Sequence, residues 1–358
     1  MDIKNFPVAK TKLPGGKSFN LGDPAERKKY FEAKAGPELK AIKKYFDEGK
    51  TFVAFLLGKK NSGKGTYSKL FMEAVGSDKV GHISIGDIVR DAHTLVETEA
   101  GQKQLIDFLK TNYRGFHSPE ETIDLILGRN QSSLISSELI LALIKYEIAK
   151  RPKQALFIDG FPRALDQVGY SMYLKEIIGY RDDPDFLVFI SLPNTIINER
   201  IKYRVVCPTC KTPRNVKLLA TKEAGYDEAA GQFYLKCDNP TCQGARMVPK
   251  QGDELGIEPI RERLETDDKI IQQLLGLHGI PKIYLRNAIP VAAAESHVDE
   301  YEITPGYEYE RRSDGTVQIK ETAWVIKDDE GNDSYSLLPP PIVVSLVKQM
   351  AEVLGLSK

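Results

Sequence analysis

The sequence predicts an α/β fold in which a parallel β-sheet of about five strands is flanked by helices. The first observation is that short apolar runs alternate with longer segments in which apolar residues recur at helical spacing. The second is a loop rich in glycine and lysine between the first apolar run and the helical segment after it. The third is that all four cysteines fall between residues 207 and 242, in a polar segment that interrupts the alternation.

Four apolar runs predict strands that are buried on both faces, as in a parallel sheet. They are TFVAFLL, KVGHISI, ALFID and DFLVFIS. Helical spacing predicts helices in five other segments: GTYSKLFMEAVG, SSELILALIKYEIAK, ALDQVGYSMYLKEIIG, EPIRERLETDDKIIQQLLGL and PPIVVSLVKQMAEVLGL. Ahead of the first strand, Asp23 and Pro24 predict the start of a helix. Residues 301–338 are predicted to be rich in β-structure, because SDGT and DEGND are turn signals.

The composition is that of a globular protein without a strong overall charge. The chain has 358 residues, 41% hydrophobic and 28% charged, with 50 basic and 50 acidic side chains. Zero net charge gives no overall attraction to nucleic acid or to a membrane surface. No segment approaches the about 18 apolar residues that a membrane helix needs, and the first residues do not resemble a signal peptide. We therefore expect a cytoplasmic protein that does not bind membranes.

The loop after the first predicted strand, GKKNSGKGT, fits the pattern of a phosphate-binding loop. Glycines let the backbone N–H groups wrap a phosphate, and Lys64 reaches the outer phosphates as a point charge. The positive end of the following helix adds to this attraction. The loop predicts a P-loop NTPase-type sheet, with ATP bound by Gly58, Asn61, Ser62, Gly63, Lys64, Gly65 and Thr66.

With four further segments, the loop resembles the adenylate kinases and related nucleoside monophosphate kinases. These segments are HISIGDIVRD, FIDGFPRALDQ, NERIKYR and IRERL, in this order along the chain. The resemblance covers roughly residues 51–285. It implies that the chain moves the γ-phosphoryl group of ATP to a nucleoside monophosphate, with Mg²⁺ as cofactor. With AMP as acceptor, the reaction is ATP + AMP ⇌ 2 ADP.

The resemblance also implies a role for each candidate residue. Arg90 and Arg163 would hold the acceptor phosphate, because a guanidinium binds phosphate bidentately and stays charged. The whole acceptor set is Ser84, Gly86, Arg90, Gly160, Arg163 and Gln167. The catalytic set is Lys64, Asp159, Arg200, Arg204 and Arg263, in which Arg200 also lies against the adenine and sugar of ATP. Asp87 and Asp159 would hold water molecules of the Mg²⁺ ion.

Gln167, Ile85 and the Lys60–Asn61 pair show how closely this sequence matches the adenylate kinases at the acceptor base and in the phosphate-binding loop. Gln167 matches the adenylate kinases, and its amide presents a donor beside an acceptor, which suits an adenine edge. Ile85 stands where a threonine is usual and cannot make that residue's hydrogen bond, so the choice of base stays open. Lys60 and Asn61 replace the usual Pro-Gly pair in the loop. Asn tolerates a left-handed backbone, so the turn can still form.

The spacing of the cysteines predicts a structural zinc site. Cys207 and Cys210 form one pair and Cys237 and Cys242 the other, which suits two short turns closing on one tetrahedral ion. Two redox-active or unrelated cysteine pairs are the alternative. Some adenylate kinases carry such a site in the lid over ATP, and that lid ends in an Arg-x-Asp-Asp segment. Here the corresponding stretch is PKQGDE, so Lys250 or Arg246 would have to replace the arginine.

These assignments divide the chain into four parts. The core is predicted at residues 51–90, 134–204 and 255–358, with a β-rich elaboration at 301–338. Residues 1–50 form an N-terminal helical extension, residues 91–133 the lid over the monophosphate, and residues 205–254 the zinc-binding lid over ATP. The expected partners are ATP and a nucleoside monophosphate, and we expect a monomer.

Two other functions stay open at this stage. One is a kinase of the same fold that prefers UMP, CMP or GMP as acceptor. The other is a nucleic-acid-binding protein that uses a zinc ribbon, with the phosphate-binding loop as a nucleotide switch. The segments GDIVR and DGFPR disfavour the second alternative, because a ribbon protein has no need of them.

Overall fold

The computed structural model describes residues 6–128 and 135–357. Its strands are β1 Val53–Gly58, β2 Val80–Ser84, β3 Ala155–Asp159, β4 Asp185–Ser191, β5 Arg204–Val206, β6 Pro213–Asn215, β7 Ala224–Asp227, β8 Gln232–Leu235, β9 Val248–Pro249, β10 Lys282–Arg286, β11 Ile289–Pro290, β12 Gly306–Arg311, β13 Val317–Thr322, β14 Val325–Lys327 and β15 Asp333–Tyr335. The four predicted apolar runs correspond to β1 to β4.

The α-helices are α1 Pro24–Asp47, α2 Lys64–Val75, α3 Ile85–Val96, α4 Glu99–Asn112, α5 Pro119–Ile126, α6 Ser137–Ala149, α7 Gln167–Ser171, α8 Leu174–Ile177, α9 Asn194–Lys202, α10 Arg261–Leu275, α11 Val291–His297 and α12 Pro339–Val353. None of the helices within the described ranges has both the length and the apolar character needed to cross a membrane.

A five-stranded parallel sheet forms the centre of the molecule, as the sequence predicts. Its strand order is β10-β4-β1-β3-β2, and all four pairings are parallel. Because successive side chains of a strand point to opposite faces, each strand contributes to two separate apolar cores. Phe52, Ala54 and Leu56 lie in one core with α1, α2 and α12, whereas Val53 and Phe55 lie in the other with α3 to α6 and α10. The sheet is therefore covered by helices on both faces.

The N-terminal extension packs against the core. Helix α1 begins at the predicted cap, where the Asp23 side chain accepts a hydrogen bond from the Glu26 N–H. Its backbone departs from helical geometry at Ala35, two residues before Pro37, because proline removes a hydrogen bond and crowds the preceding turn. The helix contacts α2 and α12. Residues 1–5 of the predicted extension lie outside the described residues.

Residues 301–338 are β-rich, as predicted, and part of this segment contacts the cysteine-bearing lobe of residues 205–254. Strands β12 and β13 form an antiparallel hairpin. The Tyr309 hydroxyl donates to the Val216 carbonyl at 2.5 Å, and its ring stacks on Phe233 with the ring centroids 5.7 Å apart. Val317 and Ile319 pack against the apolar residues around the cysteines. The hairpin thus connects the lobe to the core of the molecule.

The predicted boundaries between parts remain predictions. Helix α3 runs from Ile85 to Val96, so the boundary predicted at residue 90 falls inside a continuous helix. The boundary predicted between residues 133 and 134 lies outside the described residues.

A buried ion cluster joins the N-terminal extension to the C-terminal part of the chain. The Glu302 carboxylate has no exposed surface and accepts hydrogen bonds from the Thr11 hydroxyl at 2.6 Å and the Tyr30 hydroxyl at 2.5 Å. Lys34 Nζ lies 3.5 Å from the same carboxylate and 2.6 Å from Asp299. Burial and the Glu302 charge raise the pKa of Tyr30 well above its ordinary value. The hydroxyl groups of Thr11 and Tyr30 therefore depend on Glu302 as their acceptor, whereas Lys34 is also paired with Asp299.

Replacing Glu302 by glutamine is expected to destabilise the fold by about 1.5–3 kcal/mol, because it weakens buried hydrogen bonds to a charged acceptor while Lys34 keeps its pair with Asp299. Urea unfolding followed by circular dichroism measures the change. The matched control is Glu48→Gln, which removes the partner of the exposed Lys50 and is expected to cost less than about 1 kcal/mol. Equal effects of the two substitutions would contradict a stabilising role of the buried cluster.

Candidate active site

The candidate site lies at the carboxyl ends of the sheet strands, where open parallel sheets bind ligands. Gly58 ends β1, Ser84 ends β2 and Asp159 ends β3. The register pairs Asp159 with Leu56 on one side and with Ser84 on the other. The loop after β1, the start of α3 and the loop after β3 are thereby brought to the same edge of the sheet.

The loop from Gly58 to Lys64 has the geometry of an anion cradle. Asn61 has φ 66° and Gly63 has φ 100°, so the left-handed turn forms at asparagine as the sequence analysis expects. Lys64 begins α2, and its ammonium donates to the carbonyls of Gly58 at 2.8 Å and Lys59 at 3.1 Å. Asn61 Nδ2 and Ser62 Oγ are buried without a hydrogen-bond partner among the described residues. An oxyanion held in the loop would supply acceptors for both groups.

A cleft of about 640 Å³ opens beside this loop. The candidates Asn61 to Thr66, Asp159, Arg200 and Arg204 line it. The opposite wall is apolar and comes from Leu218 and Leu219 of the lobe and from Leu337–Pro339 at the start of α12. The cleft thus combines a cationic phosphate end with apolar surface, which suits a nucleotide.

A smaller cavity of about 40 Å³ lies at the bottom of the site. Three cations from different parts of the chain line it, together with two carboxylates: Lys64, Arg163, Arg263, Asp159 and Asp267. Lys64 Nζ is 3.8 Å from the Asp159 carboxylate. Lys64 and Asp159 also line the larger cleft, so the two cavities share this pair.

Burial and neighbouring charges shift the pKa values in this cavity. Burial lowers the pKa of Lys64, although Asp159 and Asp267 oppose the change. Burial and the nearby Arg263 lower the pKa of Arg163. The Asp159 carboxyl is also buried, but the nearby His82 ring, whose Nε2 lies 3.7 Å from the carboxylate, and the charge of Lys64 keep its pKa below the ordinary value. An anionic ligand would stabilise the charged forms of Lys64 and Arg163.

The two arginines predicted to hold the acceptor phosphate converge on the start of α3. A Cβ atom at Gly86 would lie 3.6 Å from Arg90 Nη1 and 3.7 Å from Arg163 Nη2. Gly160 has φ 84°, and a Cβ atom there would lie 3.2 Å from Arg163 Nη2. A side chain at Gly160 would therefore crowd the Arg163 guanidinium, whereas a Cβ atom at Gly86 would be in ordinary contact with both guanidinium groups.

The predicted magnesium pair is not assembled in this structure. Asp87 forms an ion pair with Arg90, and both side chains are exposed. Asp159 lines both cavities, whereas Asp87 lines neither among the described residues. Only Asp159 of the predicted pair therefore faces the cleft here. Ile85 is buried in the apolar core beside α3 and presents no polar group to the site.

Gln167 is buried, and both ends of its amide have partners. Its Oε1 accepts a hydrogen bond from the Arg163 N–H at 2.8 Å, and its Nε2 donates to the Ser137 hydroxyl at 3.1 Å. The residue lies at the start of α7, four positions after Arg163. One donor and one acceptor position of the amide have no partner among the described residues, since a primary amide offers two of each.

The arginines of the ATP side contact the loop and the lobe. Arg200 Nη1 lies 3.4 Å from the Asn61 carbonyl. Arg204 forms a bidentate pair with Asp253, with distances of 2.5 and 2.8 Å. Of the two proposed substitutes for the missing lid arginine, Arg246 pairs with Asp227 inside the lobe. The charge of Lys250 acts on the loop, because burial, Arg263 and Lys250 together lower the pKa of Lys60.

Asp267 and the apolar wall of the cleft are not among the residues predicted from the sequence. Asp267 Oδ2 accepts a hydrogen bond from the Lys60 N–H at 3.1 Å, so α10 contacts the phosphate-binding loop directly. Burial raises the pKa of Asp267. Its position four residues after Arg263, on the same face of one helix, was a signal that the sequence contained.

The four cysteines form one cluster. Their sulfur atoms all lie within 4.8 Å of one another, and the sulfurs of Cys210 and Cys237 are 3.6 Å apart. Tetrahedral zinc with Zn–S bonds of about 2.3 Å requires sulfur atoms about 3.8 Å apart. Cys207, Cys237 and Cys242 are buried, and Cys210 is half-buried. Four thiols at this spacing fit a closed zinc site that leaves no open coordination position.

Known proteins similar to this chain are adenylate kinases. The adenylate kinase of Clostridium acetobutylicum is 26% identical over 245 residues, 68% of this chain and 91% of that protein. Those of Clostridium novyi and Petrotoga mobilis are 27% and 29% identical, over 63% and 59% of this chain and 85% and 78% of their own lengths. No family model matches the chain. Each alignment covers most of the relative and leaves part of this chain unmatched.

Proposed function

The chain belongs to the adenylate kinase family, and we propose that it moves the γ-phosphoryl group of ATP to AMP, ATP + AMP ⇌ 2 ADP. Nucleoside monophosphate kinase activity follows from the family, and AMP is the acceptor that this proposal adds. Gln167 supports AMP, because its amide retains a free donor and a free acceptor beside the converging arginines. UMP, CMP or GMP as the preferred acceptor is the alternative.

One observation carries the proposal: cations from both nucleotide sides line one small cavity. Lys64 comes from the phosphate-binding loop, Arg163 from the loop after β3, and Arg263 from α10. A phosphoryl group that passes between two nucleotides needs a common position that cations reach from both sides. The cavity supplies this position, because it adjoins the nucleotide cleft through Lys64 and the acceptor side through Arg163.

In the proposed reaction the protein acts mainly by positioning and by dispersing charge. The N–H groups of the loop and the α2 terminus hold the ATP phosphates, and Lys64 follows the transferred group. Arg163 and Arg90 hold the acceptor phosphate, while Arg204 and Arg263 neutralise charge on the transferred group. Since Arg204 is bonded to Asp253 in this structure, it must exchange that partner for phosphate. The lobe of residues 205–254 would exclude water as it closes.

Mg²⁺ and zinc complete the proposal. Bound with ATP, Mg²⁺ neutralises phosphate charge. Asp159 fits the role of holding its water molecules, because the carboxylate faces the cleft and has a lowered pKa, and Asp267 offers a second carboxylate in the same cavity. Asp87 would have to leave Arg90 to take part. The four cysteines would hold zinc as a structural ion of the ATP-side lobe.

Location, oligomeric state and nucleic-acid binding remain predictions. We still expect the protein to be cytoplasmic and monomeric and not to bind nucleic acid. Size-exclusion chromatography with light scattering tests the monomer.

The proposed function is tested with ATP and each of AMP, CMP, UMP and GMP in turn, with Mg²⁺ present. We expect AMP to give the highest kcat/KM, with ADP as the only product. Chromatographic separation of the nucleotides measures the ADP formed. ATP alone is the control for hydrolysis and should give little ADP. If ATP binds but no monophosphate is phosphorylated, the kinase assignment is wrong, and a preference for another base would refute AMP alone.

A further inference from the structure

Three side chains form a hydrogen-bonded chain next to the acceptor arginines. Asp166 Oδ2 accepts from the Ser137 hydroxyl at 2.6 Å, and Ser137 Oγ accepts from Gln167 Nε2 at 3.1 Å. Gln167 Oε1 accepts from the Arg163 N–H at 2.8 Å. Ser137 lies at the start of α6, whereas the other residues belong to the segment after β3. Ser137 and Gln167 are buried, so water does not replace these bonds readily.

The chemistry of the two ends determines which way the Gln167 amide points. A backbone N–H only donates, so the amide atom that faces Arg163 must be the oxygen. A carboxylate only accepts, so the Ser137 proton points to Asp166. The Ser137 oxygen is then left as an acceptor, and the amide atom that faces it must be the NH₂ group. The oxygen and nitrogen ends of the Gln167 amide are thus assigned from the donors and acceptors around them, which is how such ends are distinguished.

We propose that Ser137 and Asp166 are positioning residues that fix the amide orientation of Gln167 and thereby select the acceptor base. The inference rests on the proposed function, in which Gln167 reads the base. The base selected is one that presents an exocyclic amine beside an unprotonated ring nitrogen, as adenine does. A 6-oxopurine presents the opposite pattern, an oxo group beside a ring N–H, at the same positions.

The fixed Gln167 amide distinguishes between bases, because the donor and the acceptor that it has left for a base are fixed in position as well. One lone pair of Oε1 and one N–H of Nε2 are not used by the protein and can meet the amine and the ring nitrogen of adenine. To form hydrogen bonds with a 6-oxopurine bound in the position of adenine, the Gln167 amide group must rotate by half a turn about its terminal C–C bond. Its oxygen would then face the Ser137 lone pair, and its NH₂ group would face the Arg163 N–H. Two buried hydrogen bonds would be lost, so the rotated form is disfavoured.

The connection to Arg163 places base and phosphate recognition on one short segment. The backbone of Arg163 holds the amide oxygen, while its guanidinium lies near Gly86 and lines the small cavity. A base that is accepted by the fixed amide therefore lies at a set distance from the cations that hold its phosphate. Ser137 acts on this arrangement without contacting the substrate.

The test compares AMP with inosine monophosphate (IMP), which has an oxo group at C6 and a proton on N1. Ser137→Ala removes one of the two hydrogen bonds that oppose rotation of the amide and leaves the bond from the Arg163 N–H. We therefore expect the ratio of kcat/KM for AMP to that for IMP to fall about tenfold, the effect of one lost hydrogen bond. The kcat with AMP should change less than its KM. Ser137→Thr retains the hydroxyl and should restore the ratio.

The matched control is Ser171→Ala, a buried serine on α7 whose hydroxyl donates to the Val168 carbonyl at 2.8 Å. It should leave the ratio unchanged even if it lowers stability. If Ser137→Ala is folded and keeps the wild-type ratio, or if the wild type does not distinguish AMP from IMP, the inference is overturned. A wild type that phosphorylates neither nucleotide, nor any of the other monophosphates, would instead refute the proposed function.

Discussion

Replacing Lys64 by methionine is expected to lower kcat about 10²–10³-fold, the usual effect of removing one group that stabilises charge in a transition state. The ammonium lines both cavities, and its protein hydrogen bonds are to the carbonyls of Gly58 and Lys59. Methionine fills a similar volume, so the fold should survive. Initial rates with saturating ATP and AMP measure the change, and thermal unfolding checks the fold.

The matched control is Lys40→Met on the exposed face of α1. This lysine lies outside both cavities, and its replacement should leave kcat within about twofold of the wild type, as for other surface substitutions. A Lys64→Met protein that is folded and retains wild-type turnover would show that this lysine does not act on the transferred phosphoryl group.

The central strands were predictable because burial on both faces leaves a local signal. In β1 and β4 nearly every residue is buried, so each reads as a continuous apolar run in the sequence. The fifth strand, β10, lies at the edge of the sheet, and within the described residues it pairs with β4 alone. Its buried residues alternate with half-buried ones such as Lys282 and Arg286, and the sequence therefore indicated the number of strands without locating this one.

The candidate residues found from the sequence are those that belong to contiguous motifs. The loop from Gly58 to Thr66 and the segment from Asp159 to Gln167 each carry several residues whose spacing can be recognised. Asp267 and Ser137 act through contacts to other segments, at Lys60 and Gln167 respectively. Such contacts depend on how helices pack on the sheet. The four-residue spacing places Asp267 on the helix face of Arg263, but it does not indicate the contact with Lys60, and no spacing indicates the contact of Ser137 with Gln167.

The hairpin of β12 and β13 is a second case in which contacts between distant segments could not be predicted from the sequence. Its β-structure was predictable from turn signals, but its attachment to the cysteine lobe was not. Tyr309 bonds to Val216 and the Tyr307 N–H bonds to the Lys217 carbonyl, across about ninety positions of sequence. Arg311 adds an ion pair with Glu228 on the same lobe. These contacts arise only when both segments are folded, so nothing in either one predicts the other.

Removal of zinc is expected to unfold the lobe of residues 205–254 and to abolish phosphoryl transfer. Four thiolates on one zinc ion contribute about 10–16 kcal/mol to folding, more than the few apolar residues of the lobe can supply. Elemental analysis of the purified protein should give about one zinc ion per chain. Cys207→Ser should lose the ion, and its kcat should fall because Arg204, Leu218 and Leu219, which line the cleft beside the phosphate-binding loop, are no longer held in place.

The single tryptophan reports this unfolding directly. Trp324 is buried and packs with Leu218 of the lobe and with Ile196 and Ile197 of α9. Loss of the lobe exposes the indole to water, so its fluorescence should shift to longer wavelength in Cys207→Ser but not in the control Thr241→Ser, an exposed neighbour of Cys242. A metal-free protein with unshifted fluorescence and full activity would contradict a structural role for zinc, because the lobe would then fold on its apolar contacts alone.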